Sequence, residues 1–162
     1  MIQIVEVQTA SELAQVKDLF RAYFQFLAHD HGLDISYQGI EEELKSLPGK
    51  FSPPDGRLIM AVISEQAIGC AALRRIDQQV CELKRMFVLS QFRGQGVGKA
   101  LALKLIDEAK TIGYQCVRLD TGNFLTAAVK LYESLGFQRI EPYNEVPEDL
   151  RKIAIFMELR LN

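Results

Sequence analysis

The stretch Val88-Leu89-Ser90-Gln91-Phe92-Arg93-Gly94-Gln95-Gly96-Val97-Gly98-Lys99-Ala100-Leu101 leads from an apolar run through three alternate glycines into a helical pattern. Glycines let the backbone approach a ligand closely, and the start of a helix presents unpaired N–H groups carrying a partial positive charge. Phosphate is the natural occupant of such a turn. Two common phosphate motifs fail letter by letter. A Walker loop ending at Gly98-Lys99 needs glycine where Arg93 stands and Ser or Thr where Ala100 stands, and a Rossmann turn begun at Gly94 needs glycine where Lys99 stands.

Upstream of this turn, Leu58 to Ile63, Ile68 to Leu73 and Val80 to Val88 are strand-like runs separated by Ser64-Glu65-Gln66 and Asp77-Gln78-Gln79. They read as consecutive antiparallel strands. Downstream, a helix from about Val97 to Thr111 carries Val97, Leu101, Leu105 and Ala109 on one face and is closed by Gly113. Cys116 to Thr121 reads as a buried strand, Thr126 to Leu135 as a helix ended by Gly136, and Phe137 to Ile140 and Ile153 to Leu161 as final strands. At the N-terminal end, Ile2, Ile4 and Val7 mark a short strand, after which Thr9 or Ser11 caps a helix starting near Glu12. Its apolar residues, Leu13, Val16, Leu19, Phe20, Tyr23, Phe24 and Leu27, recur at spacings of three and four. Between Gly32 and Gly56, a short helix about Ile40 to Leu47 is followed by turn formers, so this segment reads as a surface excursion. The order predicts an α/β fold: a mixed, mostly antiparallel central sheet with one parallel strand–helix–strand crossover at the glycine turn and helices on both faces. Ligands of such crossovers usually sit at the carboxyl ends of the strands.

The 162 residues suit one core, so residues 1–162 are expected to form a single domain. Hydrophobic residues are 48% and charged ones 25%, which excludes disordered, collagen-like and coiled-coil classes. With 19 Lys and Arg against 21 Asp and Glu, the formal charge of −2 disfavours general nucleic-acid binding. Cys70, Cys81 and Cys116 are odd in number and lie in apolar runs; they read as reduced core residues of a cytoplasmic protein rather than a disulfide or zinc framework. No apolar run approaches the ~20 residues that cross a bilayer, and the N-terminus lacks the pattern of an export signal. No membrane association and no metal are expected. His29-x-His31 offers only two potential ligands.

Arg93-x-x-Gly96-x-Gly98 after a strand ending in Val88, and Leu131-Tyr132-Glu133-Ser134-Leu135-Gly136-Phe137 one helix and one strand later, together resemble the two signatures of the GCN5-related N-acetyltransferase (GNAT) family. The resemblance is sharp from Glu82 to Phe137. It implies that the turn, Arg93, Gly94, Gln95, Gly96, Val97, Gly98 and Lys99, wraps the pyrophosphate of acetyl-CoA, with Arg93 and Lys99 adding charge. Met86, Phe87 and Val88 would pair with the pantetheine amides as an added strand would, and N–H groups near Phe87 and Val88 would face the developing oxyanion. The implied reaction moves the acetyl group directly to a primary amine of a small molecule or amino-acid-like acceptor. Tyr132 would protonate the leaving thiolate, and Glu82, directly or through water, would act as a base with a raised pKa.

The pattern also departs from the family. Ser90 stands where proline is common, and Leu125 where many members have asparagine, with Asn123 two residues earlier as a candidate substitute. In this family the first helices line the acceptor groove, which brings the aromatic residues Phe20 to Phe26 into view; Tyr143 and the pair Arg74-Arg75 are further candidate acceptor contacts. Three alternatives stand beside the implied reaction: an enzyme acting on protein N-termini or lysines, a non-catalytic acyl-CoA-binding module serving as a sensor or partner-docking domain, and a structural domain with a decayed site. Family members often pair as homodimers through their later strands.

Overall fold

In the computed structural model, which describes residues 1–35 and 39–162, period-two alternation sorts the strand residues onto two apolar faces. The strands are β1 (Gln3–Glu6), β2 (Arg57–Ile63), β3 (Gln66–Arg75), β4 (Val80–Val88), β5 (Cys116–Gly122), β6 (Gln138–Ile140) and β7 (Ala154–Arg160). They form one sheet in the order β1-β2-β3-β4-β5-β7-β6. Every neighbouring pair is antiparallel except β4 and β5, which are parallel.

Helices cover both faces. On one lie α3 (Val97–Ile112) and α4 (Thr126–Ser134), whose Leu101, Leu105, Ala109 and Tyr132 pack on Ile59, Ala71, Leu73, Cys81, Leu83, Val117 and Leu119. On the other lie α1 (Ala10–Gln25) and α2 (Ile40–Ser46), with Val16, Leu19 and Phe20 of α1 against Leu58, Cys70, Ala72 and Phe87. Thr9 caps α1 in a reciprocal box with Glu12, so of the two caps expected it is Thr9 that acts. A π-helical segment, Phe26–Asp30, extends α1, and a short α5 (Glu148–Arg151) precedes β7. Where α3 crosses the sheet, a Cβ on Gly69 would lie 3.0 Å from the Phe87 carbonyl and 3.3 Å from Leu101 and Val97. The glycine lets the start of α3 settle against the sheet.

The strand–glycine turn–helix–strand unit thus falls at the centre of the sheet, as the spacing predicts. The segment read as a surface excursion differs. Residues 36–38 of it lie outside the described residues, but Leu47 and Phe51 are buried under α1 and complete its core. Glu43 of α2 is also buried, and both its oxygens meet Arg85 of β4, at 2.7 and 3.0 Å. The partners are 42 positions apart, so a run of three glutamates gave no sign that the third turns inward.

Arg85 has φ of +59°, in the left-handed region that a non-glycine residue enters at a cost of about 1–2 kcal/mol. It marks a bulge: between the pairs Ala72–Lys84 and Cys70–Phe87, β3 advances two residues while β4 advances three. Glu82 and Lys84 share one face before the bulge, and Phe87 returns to that side after it. Removing Glu43 leaves the buried guanidinium with one fewer counter-charge, so Glu43→Ala is expected to lower unfolding free energy by about 3 kcal/mol in urea titrations. Lys50→Ala, which removes the half-exposed second cation 3.0 Å from Glu43, is expected to cost under about 1 kcal/mol. Equal losses would contradict a buried Glu43–Arg85 pair that counts for more than the half-exposed Lys50 contact.

Candidate active site

The parallel pairing of β4 with β5 covers only Val80 to Glu82 against Cys116 to Arg118. Beyond it the strands diverge, and a cavity of about 120 Å³ opens between Leu83 to Met86 on one side and Leu119 to Gly122 on the other. Tyr132 of α4 and Tyr23 of α1 also line it. An adjoining groove of about 560 Å³ runs along the end of β4 to the start of α3. The two share Tyr23, Met86, Phe124, Leu125 and Ala128, so one open path leads from the glycine turn into the strand gap.

Nine of the ten residues expected to hold the cofactor line this groove: Met86, Phe87, Val88, Arg93, Gly94, Gly96, Val97, Gly98 and Lys99. Gln95 does not; its side chain turns to the Gln91 carbonyl at 3.4 Å. Gly96 is the N-cap of α3, at φ +84°, and supplies no side-chain cap, so the first amides of a sixteen-residue helix face the groove without an intrahelical partner. A Cβ at Gly96 would meet nothing within 4 Å, so what demands glycine there is the positive φ. Leu89 N–H donates to the Ile68 carbonyl at 2.9 Å; by antiparallel alternation the Val88 N–H and carbonyl point away from β3, on the side of the groove that Val88 lines. The Val88 carbonyl accepts from Arg93 Nε at 3.0 Å, and the guanidinium lies over the rings of Phe26 and Phe87, at 4.7 and 5.6 Å. This combination of uncapped amides, cationic side chains and an unpaired strand edge fits a pyrophosphate joined to an amide-bearing arm.

The titratable groups sort differently from the sequence expectation. Glu82 is fully buried; one oxygen accepts from Arg74 Nε at 2.7 Å and the other from the Tyr143 hydroxyl at 2.6 Å. Burial alone would raise its pKa, but Lys84, the Tyr143 hydroxyl and Arg74 outweigh it and hold the carboxyl below its ordinary value. The raised pKa expected of Glu82 as a base is therefore absent, because the nearby Lys84 charge and the hydrogen bonds from Tyr143 and Arg74 favour its anion. Tyr143 packs on Phe156 and lies outside the cavity lining, while Arg75 pairs with Asp55 at 3.2 Å. Neither Arg74 nor Arg75 reaches the cavity lining.

Asp120, which sequence reading passed over, carries the raised carboxyl. It lines the cavity, and burial, reinforced by Glu82 and opposed by Lys84 and a hydrogen bond to Asn144, lifts its pKa above the ordinary value. The only sequence signal is a carboxylate inside the apolar run Cys116 to Thr121, on the face opposite Val117 and Leu119. Tyr132 is buried with its ring edge-on to Phe137 at 5.6 Å, and burial pushes its phenol up, so it stays protonated. Leu125 lines both cavity and groove, whereas Asn123 lines neither. His31 lines the groove between Phe26, edge-on at 4.9 Å, and Phe124, tilted at 4.4 Å. The three thiols are buried; burial lifts Cys81 to about 12 and Cys116 to about 11, out of the range of a reactive thiolate. Among the described residues, no helix is long and apolar enough to cross a membrane.

The split parallel pair beside a glycine-capped helix is a fold shared with GNAT acetyltransferases of known structure. Residues 13–137 match the family model of the acetyltransferase (GNAT) family, to which the chain belongs. It is 31% identical to an uncharacterised N-acetyltransferase of Dictyostelium discoideum, with 99% of each chain covered. It is 39% identical to N-acetylaspartate synthetase of Danio rerio over 62% of this chain and 36% of that protein. Among solved structures, a GNAT-family acetyltransferase of Staphylococcus aureus superposes over the full length of both chains with a TM-score of 0.80 at 22% identity. A GNAT-family acetyltransferase of Elizabethkingia anophelis, solved with acetyl-CoA bound, gives 0.68 at 24% identity over 99% of this chain and 98% of that one.

A carboxyl whose folded pKa is raised above its unfolded value lowers stability wherever the unfolded carboxyl is ionised, and has no such effect below both values. Asp120→Asn is therefore expected to raise the urea midpoint at pH 7, with the gain closing as pH falls below about 4. A lower midpoint at pH 7 would show that the site stabilises the Asp120 carboxylate.

Proposed function

We propose that the chain is an acetyl-CoA-dependent N-acetyltransferase that acts on the primary amine of a small-molecule or amino-acid-like acceptor by direct attack. The observation that carries this reading is the meeting of two cavities: a groove with uncapped helix amides opens at Met86 into a strand gap holding one carboxylate of raised pKa and one protonated phenol. The relationship to N-acetylaspartate synthetase supports an acceptor of amino-acid type.

The amides of Val97, Gly98 and Lys99, with the Arg93 and Lys99 side chains, would hold the diphosphate, and Met86 to Val88 would pair with the pantetheine arm. Acetyl-CoA supplies the acetyl group as a thioester. The Val88 N–H, on the groove side of β4, would donate to the carbonyl oxygen as charge gathers there. Asp120 takes the proton that the amine must lose, and a raised pKa matches it to that task better than the saturated Glu82. Glu82 instead fixes Tyr143 and sets the field at Lys84. Tyr132 gives a proton to the departing sulfur. None of the three buried cysteines lines the cavity or the groove, which favours direct attack over a cysteine-bound acyl intermediate.

The test follows release of free coenzyme A across a panel of primary amines. Tyr132→Phe is expected to lower kcat by at least about tenfold while the Kd for acetyl-CoA stays within about threefold. Binding of acetyl-CoA without amine-dependent release from any acceptor would favour a non-catalytic sensor, and undiminished turnover in the variant would remove Tyr132 from the chemistry.

A further inference from the structure

We infer that the acceptor is a free α-amino acid with an aliphatic side chain, its carboxylate anchored by Lys84 across the strand gap from Asp120. This deepens the acetyltransferase reading above and rests on it. The last paired residues of the parallel strands are Glu82 and Arg118. Two positions further on, Lys84 and Asp120 continue that register on the same face, and both line the cavity where the strands have parted. One wall of the gap thus presents the Lys84 amine and the other the Asp120 carboxyl; burial opposes the charge on each, and each favours the charged form of the other. A zwitterionic head group complements them, its amine toward Asp120 and its carboxylate toward Lys84.

Lys84 has donors to give. Its side chain is only 11% exposed, and its one ion pair among the described residues is with Glu82 at 3.8 Å, beyond hydrogen-bond reach. Glu82 cannot close that distance without giving up Arg74 or Tyr143, each already held at 2.7 Å or less. The other cation at the cavity, Arg85, is committed to Glu43 through two nitrogens. Lys84 is therefore the cation that can turn to an incoming anion. The far wall, Leu27, Leu33, Val146, Leu150 and Ile153, carries no charge, which suits an aliphatic side chain and penalises an acidic one. At about 120 Å³ the cavity also falls below the roughly 300–1,000 Å³ typical of sites for larger ligands.

The experiment compares leucine with isopentylamine, leucinamide and aspartate as acceptors in the coenzyme A release assay. Leucine is expected to exceed each of the others in kcat/KM by at least about tenfold, because the charged site rejects an analogue lacking its partner group. Lys84→Met is expected to raise KM for leucine with the smaller effect on kcat, and to bring the leucine-to-isopentylamine ratio close to one; Lys84→Arg should keep part of the preference. Acetylation of isopentylamine or leucinamide as efficient as that of leucine would overturn the inference, the latter pointing to peptide N-termini. So would an unchanged ratio in Lys84→Met. If that variant does not fold, the wild-type ratios decide alone. No release from any amine, by contrast, would sink the acetyltransferase reading itself.

Discussion

The early end of the β4–β5 pairing is the constraint on which the site depends. Two parallel strands hold together for three residue pairs and then part, leaving backbone groups and side chains of both facing a shared space. A sheet does not give up such pairing without cause, because unpaired backbone polar groups are costly when shielded from water. Here β4 carries an extra residue at Arg85, and a bulge bends a strand and sharpens its twist. The unfavourable backbone of Arg85 persists because its guanidinium is gripped by Glu43 from α2 on the neighbouring face. A helix remote in sequence thus supports the opening through one buried ion pair.

The face beneath the gap carries a layer of buried charge rather than oil. Glu82, Arg74, Lys84 and Asp120 influence one another's protonation, and Tyr143 joins through its hydrogen bond to Glu82. The layer divides labour between two carboxylates by environment. The one that meets two donors is held as an anion; the one that lines the cavity has its carboxylate form opposed by burial, which suits it to the proton transfer proposed above. Such a site costs stability, which is consistent with a role the fold alone does not require.

What the sequence made legible follows from how local each signal is. The glycine turn, the closure of α3 at Gly113 and the tyrosine of the second signature are set by neighbours within a few positions, and each lies where its spacing predicts. The alternation of β2 to β4 likewise announced three adjacent strands. The surroundings of Glu43, Glu82 and Asp120 were not legible, because they depend on partners 42, 61 and 36 positions away: Arg85, Tyr143 and Lys84. The four-residue α5 left no periodic trace, yet its Leu150 joins Leu27, the last residue of the first helix's apolar periodicity, in the apolar wall.

The central claim, that the uncapped start of α3 and the free edge of β4 form one binding surface opening into the strand gap, is tested most directly by amide hydrogen exchange of the wild-type protein with and without coenzyme A. Slower exchange confined to Met86–Val88 and Gly94–Lys99 at saturating ligand is the expected result. Coenzyme A that binds while those amides exchange as before, or that protects a different part of the sheet, would contradict it.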